Sequence, residues 1–208
     1  MAHRTGQKEQ GKAKVLKSAG RVFRRHGFGG STVDSLTQEA AVTSGAFYAH
    51  FRSKADAFRE AIAAGMDDLK RYIEHARQQH GHRWQTPFVD FYLGDRRTCD
   101  LADSCALQSL SSDVARADDD ARQVYETNLH AIVAAMTAES EGLPNARRDQ
   151  AIALLALLVG GVTLARAVRD PAASDEIAAA VRKTALKFSP RHLTTEPPPA
   201  RDHARRQE

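Results

Sequence analysis

Residues 151–165 read AIALLALLVGGVTLA, fifteen positions without a charge. Leu154, Leu155, Leu157, Leu158, Val159 and Val162 fall around most of a helix's circumference, so a helix here must be covered on several sides. The run is short of the roughly 20 residues that a membrane-spanning helix needs, and it reads as a buried helix. The rest of the chain has to supply the cover. With 208 residues, 42% hydrophobic and 27% charged, it can build one large core or two small ones. Alanine and leucine abound and β-branched runs are few, which favours an all-α fold.

The spacing of apolar residues supports that reading along the chain. Residues 1–11 are polar and expected to be mobile. Val15, Leu16, Ala19, Val22 and Phe23 recur at three- and four-residue intervals and predict a helix over 12–26. Gly27, Gly29 and Gly30 stop it, and Ser31 or Thr32 can cap a short helix over 33–40. Residues 41–44 form a tight turn, and Thr43 or Ser44 can cap a third helix through Phe47, Tyr48 and Phe51. Ser53 caps a long helix from Lys54 to about Gln79, with Phe58, Ile62, Met66, Leu69 and Ile73 on one face. A bulky segment follows from Pro87. Residues 95–103 read as loop, and helices are expected over 104–114, 118–140, 147–168 and 175–188. The tail from Pro190 has almost nothing apolar to bury, and 189–208 is expected to be disordered.

Charge divides the chain unevenly. Residues 1–54 hold ten Lys/Arg and three Asp/Glu, while the remaining 154 hold twenty basic and twenty-three acidic groups. A basic head on a mildly acidic body points to one end that meets a polyanion. Cys99 and Cys105 make no disulfide framework, and the N-terminus carries no apolar signal core, so the cytoplasm is the expected compartment.

Three short helices and a long one, with a four-residue turn between the second and third, describe a helix-turn-helix unit over 32–51. The third helix would enter the DNA major groove by its N-terminal end. Thr43 and Ser44 can donate or accept at base edges, Gly45 admits close backbone approach, and Ala46 can touch a thymine methyl. Tyr48, His50 and Lys54 are long enough to reach phosphates, and Thr32 can do so from the start of its helix. Phe47 and Phe51 point inward, onto Leu16, Phe23 and Leu36.

The run TVDSLTQEAAVTSGAFYAHFRSK (32–54), preceded by Val15, Leu16, Ala19, Phe23 and Gly27, resembles the DNA-binding domain of the TetR/AcrR family of one-component transcriptional regulators. Ala41 departs from the pattern, since a glycine often sits at that turn. An L-residue forced to positive φ there costs about 1 kcal/mol. The runs SCALQSLSSDVAR (104–116) and LLVGGVTLARAVRDPAASDEI (157–177) are similar to the ligand-binding and dimerisation body of one large subgroup.

The resemblance implies an N-terminal three-helix DNA-binding domain (1–54) joined by the long helix to a C-terminal helical domain (55–188) that binds an effector and dimerises. It implies a homodimer that represses by occupying a palindromic double-stranded DNA operator and is released by a small apolar effector, with no cofactor and no enzymatic activity. The candidate dimer interface is Leu154, Leu158, Gly161, Val162 and Ala165. Trp84, Phe88, Phe91, Tyr92, Cys105, Tyr125 and Leu129 are the candidate pocket, though the same residues would serve equally as plain core.

Other chemistries find less support. Cys99 or Cys105 could make a thiol-based redox or electrophile sensor, a chemistry that needs a depressed pKa and access. Arg96 and Arg97 favour it at Cys99, and Asp100 and Asp103 oppose it. His75, His80 and His82 lack a matching ligand set for a metal. The sequence carries no glycine-rich phosphate loop, G-x-S-x-G, H-E-x-x-H or C-x-x-C.

Overall fold

A computed structural model describes residues 2–138 and 143–188, and these hold helices and no strand. The expected tail over 189–208 lies outside the described residues. Eleven α-helices follow one another: α1 (Ala2–His26), α2 (Val33–Ala40), α3 (Ser44–Tyr48), α4 (Lys54–His80), α5 (Gln85–Leu93), α6 (Asp95–Thr98), α7 (Ala106–Ser109), α8 (Ser111–Val114), α9 (Asp119–Thr137), α10 (Pro144–Ala167) and α11 (Pro171–Ala185). Short 3-10 turns lie at Gly81–Arg83, Leu101–Asp103 and Leu186–Phe188.

Three departures from the sequence reading have local causes. Residues 2–11 are not coil but extend α1. Residues 95–103 are mostly helical, as α6 and a 3-10 turn. There Asp100 caps the turn by accepting the Ala102 N–H at 2.8 Å, a local bond that apolar spacing cannot reveal. The single helix expected over 104–114 breaks at Leu110, whose fully buried side chain sits between α7 and α8.

The core runs without a gap from Val15 in α1 to Ala185 in α11. In the head, Phe23, Phe28 and Phe58 meet ring to ring, with centroids 4.9–6.3 Å apart. Leu36, Phe47 and Phe51 are buried in the same core, which fixes α2 and α3 on α1. α4 belongs to head and body alike. Its face of Phe58, Ile62, Met66, Leu69 and Ile73 packs first on α1 and then, chiefly, on α9.

α10 is 24 residues long, longer than its uncharged run, and by length and composition it could cross a membrane. Seven of its residues are nonetheless buried within the subunit, where it packs on α11, α9, α5 and α7.

Candidate nucleic-acid interface

The turn between α2 and α3 is built by backbone geometry. Ala41 adopts φ 50°, ψ 53°, and its N–H donates to Gln38 O while the Val42 N–H donates to Thr37 O at 3.0 Å. This double bond pattern closes α2 and turns the chain by the left-handed residue that glycine usually supplies. α2 itself starts from a reciprocal cap. Thr32 Oγ1 accepts the Ser35 N–H at 3.1 Å, and Ser35 Oγ accepts the Thr32 N–H at 3.0 Å.

α3 emerges with one face fully buried, at Phe47, and the other open. Thr43 caps it by accepting the Ala46 N–H at 3.2 Å, which leaves the hydroxyl proton free to donate outward. Thr43, Ser44 and Gly45 are exposed, Ala46 is half-buried, and Tyr48 is 55% exposed with its ring edge-on to Phe47. Five of the expected contact residues therefore share one surface at the start of α3, and Thr32 opens α2 beside it. The remaining two do not. His50 is half-buried against Gly11 of α1, with its Nδ1 buried and without a partner among the described residues. The Lys54 ammonium donates to Phe28 O at 2.9 Å and Ser31 O at 2.8 Å, and lies 4.2 Å over the Phe28 ring. Its first task is to clamp the α1–α2 loop. Sequence spacing gave its reach, and only the loop's fold shows where the carbonyls converge.

The head is latched to the body through a cluster that spacing did not anticipate. Arg21 pairs with Asp103 and with Glu39, Arg25 pairs with Asp100 at 2.9 Å, and Arg24 Nε donates to Ala102 O at 2.7 Å. Three arginines of α1 thus hold one 3-10 turn. Asp113 of α8 adds a fourth link by accepting the Phe28 N–H at 3.1 Å. The Asp100 carboxyl is held below the usual carboxylate range, chiefly by the Ala102 N–H and then by Arg25. Desolvation pulls the Arg24 guanidinium below its ordinary value.

The body holds two cavities relevant to a ligand. One, of about 260 Å³, opens between α9 and α10 and is lined mainly by apolar groups, among them Leu107, Tyr125, Leu129, Val133 and Leu155. The other, of about 510 Å³, lies at the seam of α1, α4 and α7 and includes Phe91 and Cys105. The candidate pocket residues therefore separate. Tyr125 and Leu129 line the first cavity and Phe91 and Cys105 the second, while Trp84, Phe88 and Tyr92 are buried core. The Tyr92 hydroxyl is buried beside the Cys105 thiol with no other partner, and burial pushes its pKa well up.

A sequence model of the family described as "Bacterial regulatory proteins, tetR family" matches residues 15–61, the segment that builds this head. Residues 15–61 thus form a TetR-family DNA-binding domain. Among curated relatives it is similar to the uncharacterized HTH-type transcriptional regulator YfiR of Bacillus subtilis, 29% identical over 101 residues, 48% of each chain. The match thus spans about half the length of that relative. Among solved structures, a TetR-family transcriptional regulator from Agrobacterium tumefaciens shares the fold at TM-score 0.70 and 15% identity, covering 85% of this chain and 98% of that one. FadR of Bacillus subtilis, solved in complex with stearoyl-CoA, does so at TM-score 0.64 and 13% identity, covering 86% and 97%.

In the body the expected dimer residues turn inward. Leu154, Leu158, Gly161, Val162 and Ala165 are all buried within the subunit. A Cβ on Gly161 would come within 2.8 Å of the Val181 side chain, so this glycine serves the packing of α11 on α10. Gly160, its neighbour, faces open space. The outward stripe of α10 is instead Ile152, Ala156, Gly160 and Leu164, the last 61% exposed. The run is apolar all round, so its sequence could not say which side faces which neighbour.

The two thiols occupy separate settings. Cys99 is half-buried and its Sγ accepts from the Arg166 guanidinium at 3.2 Å, while Cys105 is buried in a cavity wall. A thiol-sensing reading gains no support from the family or the fold.

Proposed function

We propose that this regulator is a dimeric repressor that binds a roughly palindromic operator through α3 and is released by a small apolar effector. The observation that carries the reading is the open, polar N-terminal end of α3, with Thr43, Ser44, Gly45 and Tyr48 exposed on a buried Phe47 anchor. Thr43, Ser44, Gly45 and Ala46 face base edges, and Tyr48 and the start of α2 at Thr32 face phosphates. Lys54 and His50 act mainly by holding the loop and α1 in place. Working on DNA sets the protein in the cytoplasm.

Two copies meet through the outward stripe of α10 and the exposed side of α11. Gly160 allows the paired α10 helices to approach closely, and a two-fold axis there presents two heads to two half-sites. The effector occupies the apolar cavity between α9 and α10, beside that interface. A neighbour of the same fold solved with stearoyl-CoA supports an apolar ligand. Release is a population shift: the effector binds more tightly to the head spacing that does not fit DNA. α4 and the arginine latch on the 100–103 turn carry that shift to the head.

The test is binding of the purified protein to its own upstream intergenic DNA against random DNA of equal length, at about 0.15 M salt, where phosphate-only binding is weak. A saturable complex with a dimer-sized footprint on the upstream DNA is the expected result. Equal, weak binding to both duplexes there and on the other intergenic regions of its genome would contradict the reading.

A further inference from the structure

The larger cavity does not suit an apolar ligand. It opens at the seam where head and body meet, with Leu16, Lys17, Gly20 and Arg24 of α1 on one side and Arg96, Cys105 and Ala106 of the body on the other. Its volume of about 510 Å³ lies within the usual range for small-molecule sites. Two acids and three bases line it. Both acids are already engaged, Asp103 by Arg21 and Asp68 by Arg71. The bases Lys17, Arg24 and Arg96 have no ion pair among the described residues.

The two arginines are fixed with donors to spare. Arg24 spends its Nε on Ala102 O, and its Nη1 passes over Gly20 and Gly65, within 3.3 and 3.5 Å of where a Cβ would stand on each. A Cβ on Gly20 would crowd that guanidinium slightly, whereas one on Gly65 would meet the Ala106 side chain at 2.5 Å, so Gly65 is needed for the close approach of α4 and α7. Arg96 spends one Nη1 proton on Asp103 O and lies 5.0 Å over the Phe91 ring. Phe91 in turn stacks on Tyr72, with centroids 4.1 Å apart and planes 14° from parallel. Burial costs a cation its hydration, and an anion that reaches it restores the loss.

We propose that this seam is a binding site for a small aromatic organic acid. Its anionic group bridges Arg24 and Arg96, and its ring lies along the Tyr72–Phe91 stack. Such a ligand shares the guanidinium that holds Ala102, on the same turn gripped by Arg21 and Arg25. It therefore acts at the seam of head and body itself. That consequence rests on the proposed regulator function, whereas binding itself does not.

The test uses the full-length protein without DNA, so that failure of DNA binding cannot be mistaken for failure of the site. Titration calorimetry with 1-naphthoate is expected to show one saturable site per chain, and the neutral 1-naphthamide to bind at least about tenfold more weakly, the loss of one charge-assisted hydrogen bond. Arg24→Met is expected to weaken 1-naphthoate by a similar factor. Because that change also loosens the latch, Lys17→Glu, at an exposed position, reverses a cavity charge without touching it and is expected to weaken binding severalfold. Leu129→Trp, which fills the apolar cavity, is expected to leave 1-naphthoate binding unchanged. Equal affinity for acid and amide, loss of binding through Leu129→Trp, or no saturable binding up to about 1 mM would each overturn the assignment.

Discussion

Ala41 holds a left-handed conformation that an L-residue adopts only at a cost, and it does so at the corner that sets the angle of α3 to α2. Replacing it with glycine is expected to stabilise the protein by about 1 kcal/mol, since the bonds from Ala41 and Val42 remain and the strain goes. Thermal unfolding reads this directly, and an unchanged or lower midpoint would mean that the site carries no strain. Lys54 is the other residue whose part changes once the fold is known. Lys54→Met removes a charged donor from two backbone carbonyls and is expected to cost about 1–2 kcal/mol of stability. A purely DNA-contacting lysine would leave unfolding untouched and only flatten the salt dependence of binding. Tyr48 carries no such internal bond. Tyr48→Ala is expected to weaken binding to all duplexes with no change in unfolding midpoint.

Among the elements, the 3-10 turn Leu101–Asp103 ties head to body, because α1 grips it and its cap Asp100 through Arg21, Arg24 and Arg25. The Asp100 carboxyl is depressed in the folded state, so its contribution is fully present above its unfolded pKa near 4 and is lost as pH falls through the lower folded value. The Arg25–Asp100 link is therefore present at neutral pH and is lost only in acid. Asp100→Asn is expected to remove that part of the acid sensitivity, read as a flatter stability profile below about pH 4. An unaltered profile would place the acid response elsewhere.

This turn was not legible in the sequence, where residues 95–103 read as polar loop. Helix periodicity registers burial of one face. A turn held by an Asx cap and by arginines eighty residues earlier leaves no periodic trace. The head was legible for the opposite reason, because its apolar spacing, capping residues and glycine stops all act within about fifty residues. Phe47, Phe51 and Phe58 were placed correctly as inward groups, and Thr32, Thr43 and Ser53 each cap a helix as expected. For Lys54 and His50 side-chain length gives reach, and the fold gives direction, toward the α1–α2 loop and toward α1.

For the whole molecule the decisive question is which side of α10 is free. Its sequence is apolar around most of the helix, so the sides were indistinguishable until α9 and α11 covered one of them. Leu164→Glu, on the exposed stripe, is expected to yield folded monomers by light scattering. Leu158→Glu, at a fully buried site, is expected to unfold the chain, because a charge cannot be buried there unpaired. Folded dimers from Leu164→Glu would move the interface to another surface. Each α3 presents one short polar end, so in the proposed dimer specificity would come from a pair of half-sites at a spacing set by the subunit interface.

Selection of bound sequences from a random duplex library by the purified full-length protein, at about 0.15 M salt, measures this directly. If α3 reads bases within a symmetric dimer, one inverted repeat with two short half-sites is enriched. The Ser44→Ala variant, which retains the fold, then relaxes the same position in both halves. Recovery of no common sequence, with the library bound in proportion to length alone, would contradict a base-reading α3 and leave only a basic head that grips phosphate.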